Sequence, residues 1–134
     1  YWRWRHLRDT PGIAAMPPRP QTVFKVPVAG SAIDLRGPPF DRDRERWMHR
    51  SDYAACQAIG RDARAADVAG LRYESVRDSR RGGCGAVFDA SAFASRAPTE
   101  QQGWILTVTP ARVIWQRSDP LHPGVFEFSA AGWS

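Results

Sequence analysis

Only one stretch of this chain, "SDYAACQAIGRDARAA" at residues 51–66, combines helical length with a helical apolar stripe. Tyr53, Cys56, Ile59, Ala63 and Ala66 recur at three- and four-residue spacing and would share one buried face. Gln57, Arg61 and Arg64 fall on the watered side. Ser51 is suited to cap this helix, because its hydroxyl can accept from an unpaired N–H of the first turn. Most of the remaining sequence is short extended runs, and that scarcity of helix sets the fold class.

A second, shorter helix is expected over residues 1–8, where Tyr1, Trp4 and Leu7 recur every three residues. Arg5 and Arg8 would lie near its C-terminal end, where cations suit the helix dipole. Pro11-Gly12 stops it. The segment "MPPRPQ" reads as a proline-rich connector. Strands are expected at Thr22–Val28, Ala32–Leu35, Leu71–Val76 and Ala86–Phe88, from alternation and β-branching. "RGPPF" is loop, and the charged "DRDRERWMHR" at 41–50 is a solvated turn or short helix. Trp104–Val108 and Arg112–Arg117 flank Thr109-Pro110 and should pair as a hairpin, with a last extended piece at Val125–Phe128. No internal repeat is present. The expectation is α+β, a mostly antiparallel sheet with few helices, in a single domain of 134 residues.

Several classes of function are disfavoured. No run reaches the ~18 consecutive apolar residues that a membrane span needs. The start, "YWRWRHLRDT", has no apolar signal-peptide core. Cys56 and Cys84 form no C-x-x-C pair, which suggests two free thiols in a cytoplasmic protein. His6, His49 and His122 sit in no metal-ligand spacing, so no metal site is expected. "GGCGAV" lacks the Lys-Ser/Thr of a phosphate loop, and no serine sits in a G-x-S-x-G elbow. The net charge of +5 favours anionic partners without naming one. "YWRWRHLR" interleaves aromatic and basic residues, as a single-strand stacking platform does. The competing reading puts Tyr1 and Trp4 in the core, with arginines solvated around them.

The block "RYESVRDSRRGGCGAVFD", residues 72–89, carries the most chemistry. On a strand, Tyr73, Ser75 and Arg77 would share one face, while Arg72, Glu74 and Val76 look the other way. A mobile, cationic glycine loop follows. A phenol, a hydroxyl and a guanidinium beside such a loop suit a polar, phosphorylated ligand.

This block resembles the RES domain, a family named for its Arg, Glu and Ser whose members are toxins of bacterial toxin–antitoxin pairs. "VPVAGSAIDLR", "SDYAACQAIGRDARAADVAGLRYESVR" and "YWRWRHLRDTPG" are similar to other parts of that family, so the likeness spans about residues 1–118. The resemblance implies a fold like that of ADP-ribosyltransferase toxins. It implies degradation of NAD⁺ at the nicotinamide–ribose bond, by hydrolysis or phosphorolysis, with NAD⁺ as substrate and no cofactor. Ser75 matches the family serine and would hydrogen-bond the substrate near the nicotinamide ribose. Arg77 would grip phosphate oxygens, and Tyr73 would pack against a ring. The implied partner is a helix-turn-helix, Xre-type antitoxin, with a possible homodimer and no direct nucleic-acid binding.

The family arginine and glutamate match no residue here. Because the chain begins at Tyr1 without an initiator methionine, they are expected upstream, in a chain lacking its N-terminal part. Two alternatives follow: an inactive remnant that binds only antitoxin or NAD⁺, and a basic nucleic-acid-binding domain.

Overall fold

A computed structural model describes residues 1–133 and has the expected α+β architecture, with mostly antiparallel strands. The described residues divide into two compact units, one of residues 1–26 with 97–133, the other of residues 27–96.

In the first unit, helix α1 (Trp2–Asp9) forms where the three-residue spacing placed it, with Trp4 and Leu7 buried. Four strands run in the order β1 (Met16–Lys25), β5 (Glu100–Val108), β6 (Arg112–Arg117) and β7 (Val125–Ser129), each antiparallel to its neighbour. Burial alternates along β5, so Trp104, Leu106 and Val108 turn one face inward. Trp4 and Leu7 pack with Leu106, Val108, Val113 and Ala130. The Trp4 indole Nε1 donates to the Pro110 carbonyl at 2.8 Å, which pins α1 to the β5–β6 turn. Trp4 and Tyr1 both meet the Trp133 ring edge-on, at 5.6 and 6.0 Å between centroids. Trp4 is therefore core and Tyr1 packs against it, while Arg8 lies over the Trp4 ring. The aromatic residues of "YWRWRHLR" are largely spent on packing, and Trp2 alone of the three is exposed.

The segment "MPPRPQ" is not a connector, because it lies within β1. Proline excludes helix, yet an edge strand tolerates it, since one side of the strand needs no N–H donors. The β1–β5 register slips between Met16 and Arg19, where Pro17 and Pro18 fall. The strand expected at Thr22–Val28 thus begins earlier and ends at Lys25. Val28 makes an isolated bridge to Phe93 instead.

In the second unit, β2 (Ala32–Asp34) pairs in parallel with β3 (Gly70–Glu74), and β3 pairs antiparallel with β4 (Gly83–Val87). A parallel pair needs a long crossover, and residues 35–69 supply it. They hold a 3₁₀ turn (Phe40–Asp43), the one-turn helix α2 (Arg44–Trp47) and helix α3 (Ala54–Ala65). Leu35, Ala63 and Leu71 are buried together, with Phe40, Trp47, Ile59, Tyr73 and Phe88 packed around them.

Helix α3 starts later than expected. Ser51 does not cap it; the Asp52 carboxylate accepts from the Ala54 N–H at 2.9 Å, and the His49 ring accepts from the Asp52 N–H at 2.7 Å. Tyr53 and Ala66, expected on the buried stripe, are exposed, because they lie just outside the helix ends. Arg64, expected in water, lies over the Phe88 ring at 4.3 Å. Segment 41–50 is not wholly solvated either: Trp47 joins the core cluster, and its indole donates to the Phe40 carbonyl at 3.0 Å. Among the described residues, no helix is long and apolar enough to cross a membrane.

Candidate active site

Strand β3 is the middle strand of its sheet, and its start requires glycine. A Cβ on Gly70 would sit 2.6 Å from the Ala86 carbonyl oxygen, so any side chain would collide with the β4 backbone. Leu71 and Tyr73 then face the core cluster, and Arg72 is exposed. To this point the alternation holds.

The strand ends at Glu74 rather than Val76, so Ser75 and Arg77 lie beyond it. The cause is a set of side-chain-to-backbone hydrogen bonds that compete with the ladder. Ser75 Oγ accepts from the N–H groups of Arg77 and Asp78, both at 3.2 Å. The Asp78 carboxylate accepts from Arg80 N–H at 2.9 Å and Gly82 N–H at 3.0 Å. The Ser75 N–H donates to the Gly82 carbonyl at 2.9 Å, closing the turn. Arg81 takes a left-handed backbone, φ 54°. The loop expected to be mobile is thus braced by two side chains. Those backbone donors hold the Asp78 carboxyl below its ordinary range.

Tyr73 lies within β3, Ser75 and Arg77 follow its end, and each has different neighbours. Burial pushes the Tyr73 phenol up in pKa, with the Cys84 and Cys56 thiols adding to the shift. Cys84 is its partner across the β3–β4 ladder. The Ser75 oxygen spends its lone pairs on the turn, which leaves the hydroxyl proton as the group it can offer. Arg77 extends to segment 50–53, where its Nη2 donates to the Arg50 carbonyl and, at 3.1 Å, to the Tyr53 hydroxyl.

A cleft opens in the same unit, lined by Leu35, Arg36, Arg44, Trp47, Met48, Tyr73 and Glu74. Glu74, expected to face away from Tyr73, lines this cleft with it. The Arg44 guanidinium draws the Glu74 carboxylate toward α2 in a half-buried ion pair. Arg36 is occupied by Asp34 through two parallel hydrogen bonds, at 2.7 and 2.6 Å. That fork holds the Asp34 carboxyl well below the usual carboxylate range. Cys56 and Cys84 are free, half-buried thiols, and burial pushes Cys56 up in pKa. Among the described residues no cluster of three or more His, Cys, Asp or Glu side chains is placed to hold a metal.

With this geometry in view, the comparison with known families is decisive. The family model for the RES domain matches residues 1–109, most of the 134-residue chain. The chain belongs to the RES domain family. The match takes in α1 through β5 of this RES domain and stops short of residue 118, the expected limit of the likeness. No curated protein matches it.

Of the cleft residues, sequence reading named only Tyr73 for a site; Arg44, Glu74 and Trp47 are among those it missed. Arg44 and Glu74 stand 30 positions apart, so no local spacing joins them. Trp47 carried a usable signal, a lone large aromatic inside a charged run.

Proposed function

We propose that this RES-family chain degrades NAD⁺ by cleaving the bond between nicotinamide and ribose, with water or phosphate as acceptor. What supports the reading is the family match, together with Ser75 just beyond the end of β3, which we take to be the family serine. In the reaction, the C1′–N bond breaks and its electron pair neutralises the pyridinium ring. A water or phosphate oxygen then bonds C1′ and releases its proton to solvent. Positive charge builds on the ribose along the way, so hydrogen bonds that fix the ribose lower the barrier.

In this reading the Ser75 hydroxyl donates to the nicotinamide ribose. Tyr73 supports a ring of the dinucleotide. Arg77 is the cation proposed to grip phosphate oxygens, a planar guanidinium being suited to them. A helix-turn-helix, Xre-type antitoxin is the proposed protein partner, and a homodimer the proposed assembly. The reaction needs no metal and no cofactor beyond NAD⁺ itself.

A second reading is binding of NAD⁺ or antitoxin without turnover. One observation favours it: Glu74, the carboxylate beside Ser75 in the chain, is already neutralised by Arg44. The discriminating experiment is nicotinamide release from NAD⁺ by the chain, with and without phosphate, beside Ser75→Ala. Release that falls about 10²–10³-fold in the variant supports the enzyme, that being the usual cost of one lost transition-state donor. Release that survives the substitution removes Ser75 from the site. NAD⁺ binding without release supports the second reading.

A further inference from the structure

The two edges of the four-stranded sheet are built differently. One edge is β1, which contains Pro17, Pro18 and Pro20 and ends on Lys25. A proline has no N–H to give a further strand and an edge lysine discourages one, so this edge is closed to strand addition. The other edge is β7, "VFEFS", which has neither proline nor lysine and is exposed along its whole length. The Arg117 N–H donates to the Gly124 carbonyl and the Ala130 N–H to the Ala111 carbonyl, in register with the β6–β7 ladder. Gly124, Phe126, Phe128 and Ala130 therefore turn their backbone groups toward β6. Val125, Glu127 and Ser129 turn theirs outward, where no strand pairs with them among the described residues. Phe126 and Phe128 are 57% and 44% exposed and share a sheet face with their ladder partners Trp115 and Val113. The Phe126 ring stacks on Trp104 at 5.4 Å.

We infer that β7 is the edge on which a second copy of this chain docks, antiparallel and strand against strand about a twofold axis. This gives the homodimer proposed above a surface, on residues beyond the 1–109 that the family model matches, and it does not depend on the NAD⁺ reading. A row of outward N–H and C=O groups is satisfied by another strand. The closed β1 edge cannot receive β7 of another copy, so head-to-tail stacking is blocked and self-pairing stops at two. Charge selects the register. An axis through Glu127 would set that carboxylate opposite itself, which is destabilising; Arg112, at 3.1 Å, offsets this only in part because both side chains are half exposed. An axis through Phe126 avoids the clash. Each Val125 then exchanges both backbone hydrogen bonds with Glu127 of the other copy. The two Phe126 rings meet at a non-hydrogen-bonded position, where side chains come closest. An axis through Phe128 would instead draw Ala130, already in a 3₁₀ turn, into the ladder. Val125, Phe126 and Phe128 expose on the order of 100 Å² each, half or so of a large apolar side chain. Two copies thus bury roughly 600 Å² of side chain besides the backbone edges, which makes this a weak dimer.

The test is sedimentation equilibrium of the 134-residue chain from about 10 µM to about 1 mM, the range that suits a weak interface. Glu127→Pro and Val125→Lys run beside it, each first checked for native folding by circular dichroism. The expected result for the wild type is a reversible monomer–dimer equilibrium. Glu127→Pro removes an outward N–H that the β6–β7 ladder does not use, so the fold should hold. The dimer, which loses that bond twice, should weaken about tenfold. Val125→Lys sets a cation opposite Glu127 of the second copy, also twice, and should tighten the dimer about threefold. A wild-type chain that stays monomeric throughout overturns the inference, as does assembly beyond the dimer. A dimer that Glu127→Pro leaves intact keeps the homodimer and overturns the β7 surface. If Glu127→Pro fails to fold, Val125→Lys decides alone, and a dimer it does not tighten overturns the interface in this register. Nicotinamide release from NAD⁺, measured on the same samples, decides the other reading separately. Release by a chain that never dimerises sinks the interface alone, and a β7-dependent dimer without release supports the interface and sinks the enzyme.

Discussion

Residues 1–26 and 97–133 bury Trp4, Leu7, Leu106, Val108, Val113 and Ala130 in one cluster, while residues 27–96 bury only Leu35, Ala63 and Leu71 in theirs. Around the smaller cluster, the work of fixing the chain passes to polar side chains. Ser75 and Asp78 hold a turn, Asp34 holds Arg36, and Glu74 holds Arg44. The first unit has the larger apolar cluster and carries its ion pairs, such as Lys25–Glu100 and Arg112–Glu127, on exposed side chains; the second exchanges apolar burial for side-chain bonds to backbone. That exchange is what a site requires, because a ligand needs polar groups fixed in place. It also makes the two units vulnerable to different substitutions.

The largest expected effect is in the first unit. Leu106→Ala removes a side chain that is 6% exposed and surrounded by buried neighbours, and should cost about 2–5 kcal/mol in urea unfolding. Leu71→Ala removes an equally buried leucine, yet most of its neighbours are only partly buried. The cost should therefore fall at the low end of that range. Equal losses at the two positions would break the comparison.

Glycines sharpen it next. Gly70→Ala sets a Cβ 2.6 Å from the Ala86 carbonyl oxygen, which is backbone and cannot step aside cheaply. The expected loss is about 1–3 kcal/mol, as for other overpacked sites. Gly103→Ala, in β5, meets Ser118 side-chain atoms at an ordinary 3.5 Å. There the entropy saved in the unfolded chain should leave stability unchanged or slightly raised. Thermal unfolding of the two variants side by side decides the matter.

What the sequence made legible follows the same division. Helix α1 and the β5–β6 hairpin are local and periodic, so Tyr1, Trp4 and Leu7, and the runs flanking Thr109-Pro110, announce them. The strand through Pro17, Pro18 and Pro20 was hidden because its register is set by β5, over eighty positions away, and not by its own propensity. Tyr73 and Ser75 stood out by alternation and by likeness to a family. The end of β3 at Glu74 did not, although "SVRDSRRG" holds the signal: Ser and Asp followed two residues later by backbone they can bond. The Arg44–Glu74 pair joins segments with no shared pattern, so only the folded chain reveals it.

A smaller, local effect is expected at the serine turn. Asp78→Ala removes two acceptors from the Arg80 and Gly82 N–H groups and should lower amide-exchange protection at residues 75–82, with little change in the unfolding midpoint. Acid should do the same. The Asp78 carboxyl is held below its ordinary value of 3.8, so its contribution is fully present above that pH and is lost as the pH falls through the lowered value. Protection factors measured from pH 6 down to about pH 3, corrected for intrinsic exchange, test the sign. Loss that begins well above pH 4 would mean some other group braces the turn.

The smallest effect lies back in the first unit. Asp9 bonds Arg5 at 3.3 Å and Arg8 at 2.9 Å, and burial of all three side chains is slight. Its carboxyl is also held below the ordinary range, by the Arg8 hydrogen bond first. Unlike Asp78, it ties side chain to side chain and holds no backbone group in any bond described for it, and exposed pairs of this kind contribute little. Asp9→Asn should leave the unfolding midpoint and the α1 amide protection where they were, at pH 7 and in acid alike. If α1 instead loosened on losing Asp9, the helix would depend on its charges as the serine turn does, and the contrast between an apolar unit and a polar one would fail at its first element.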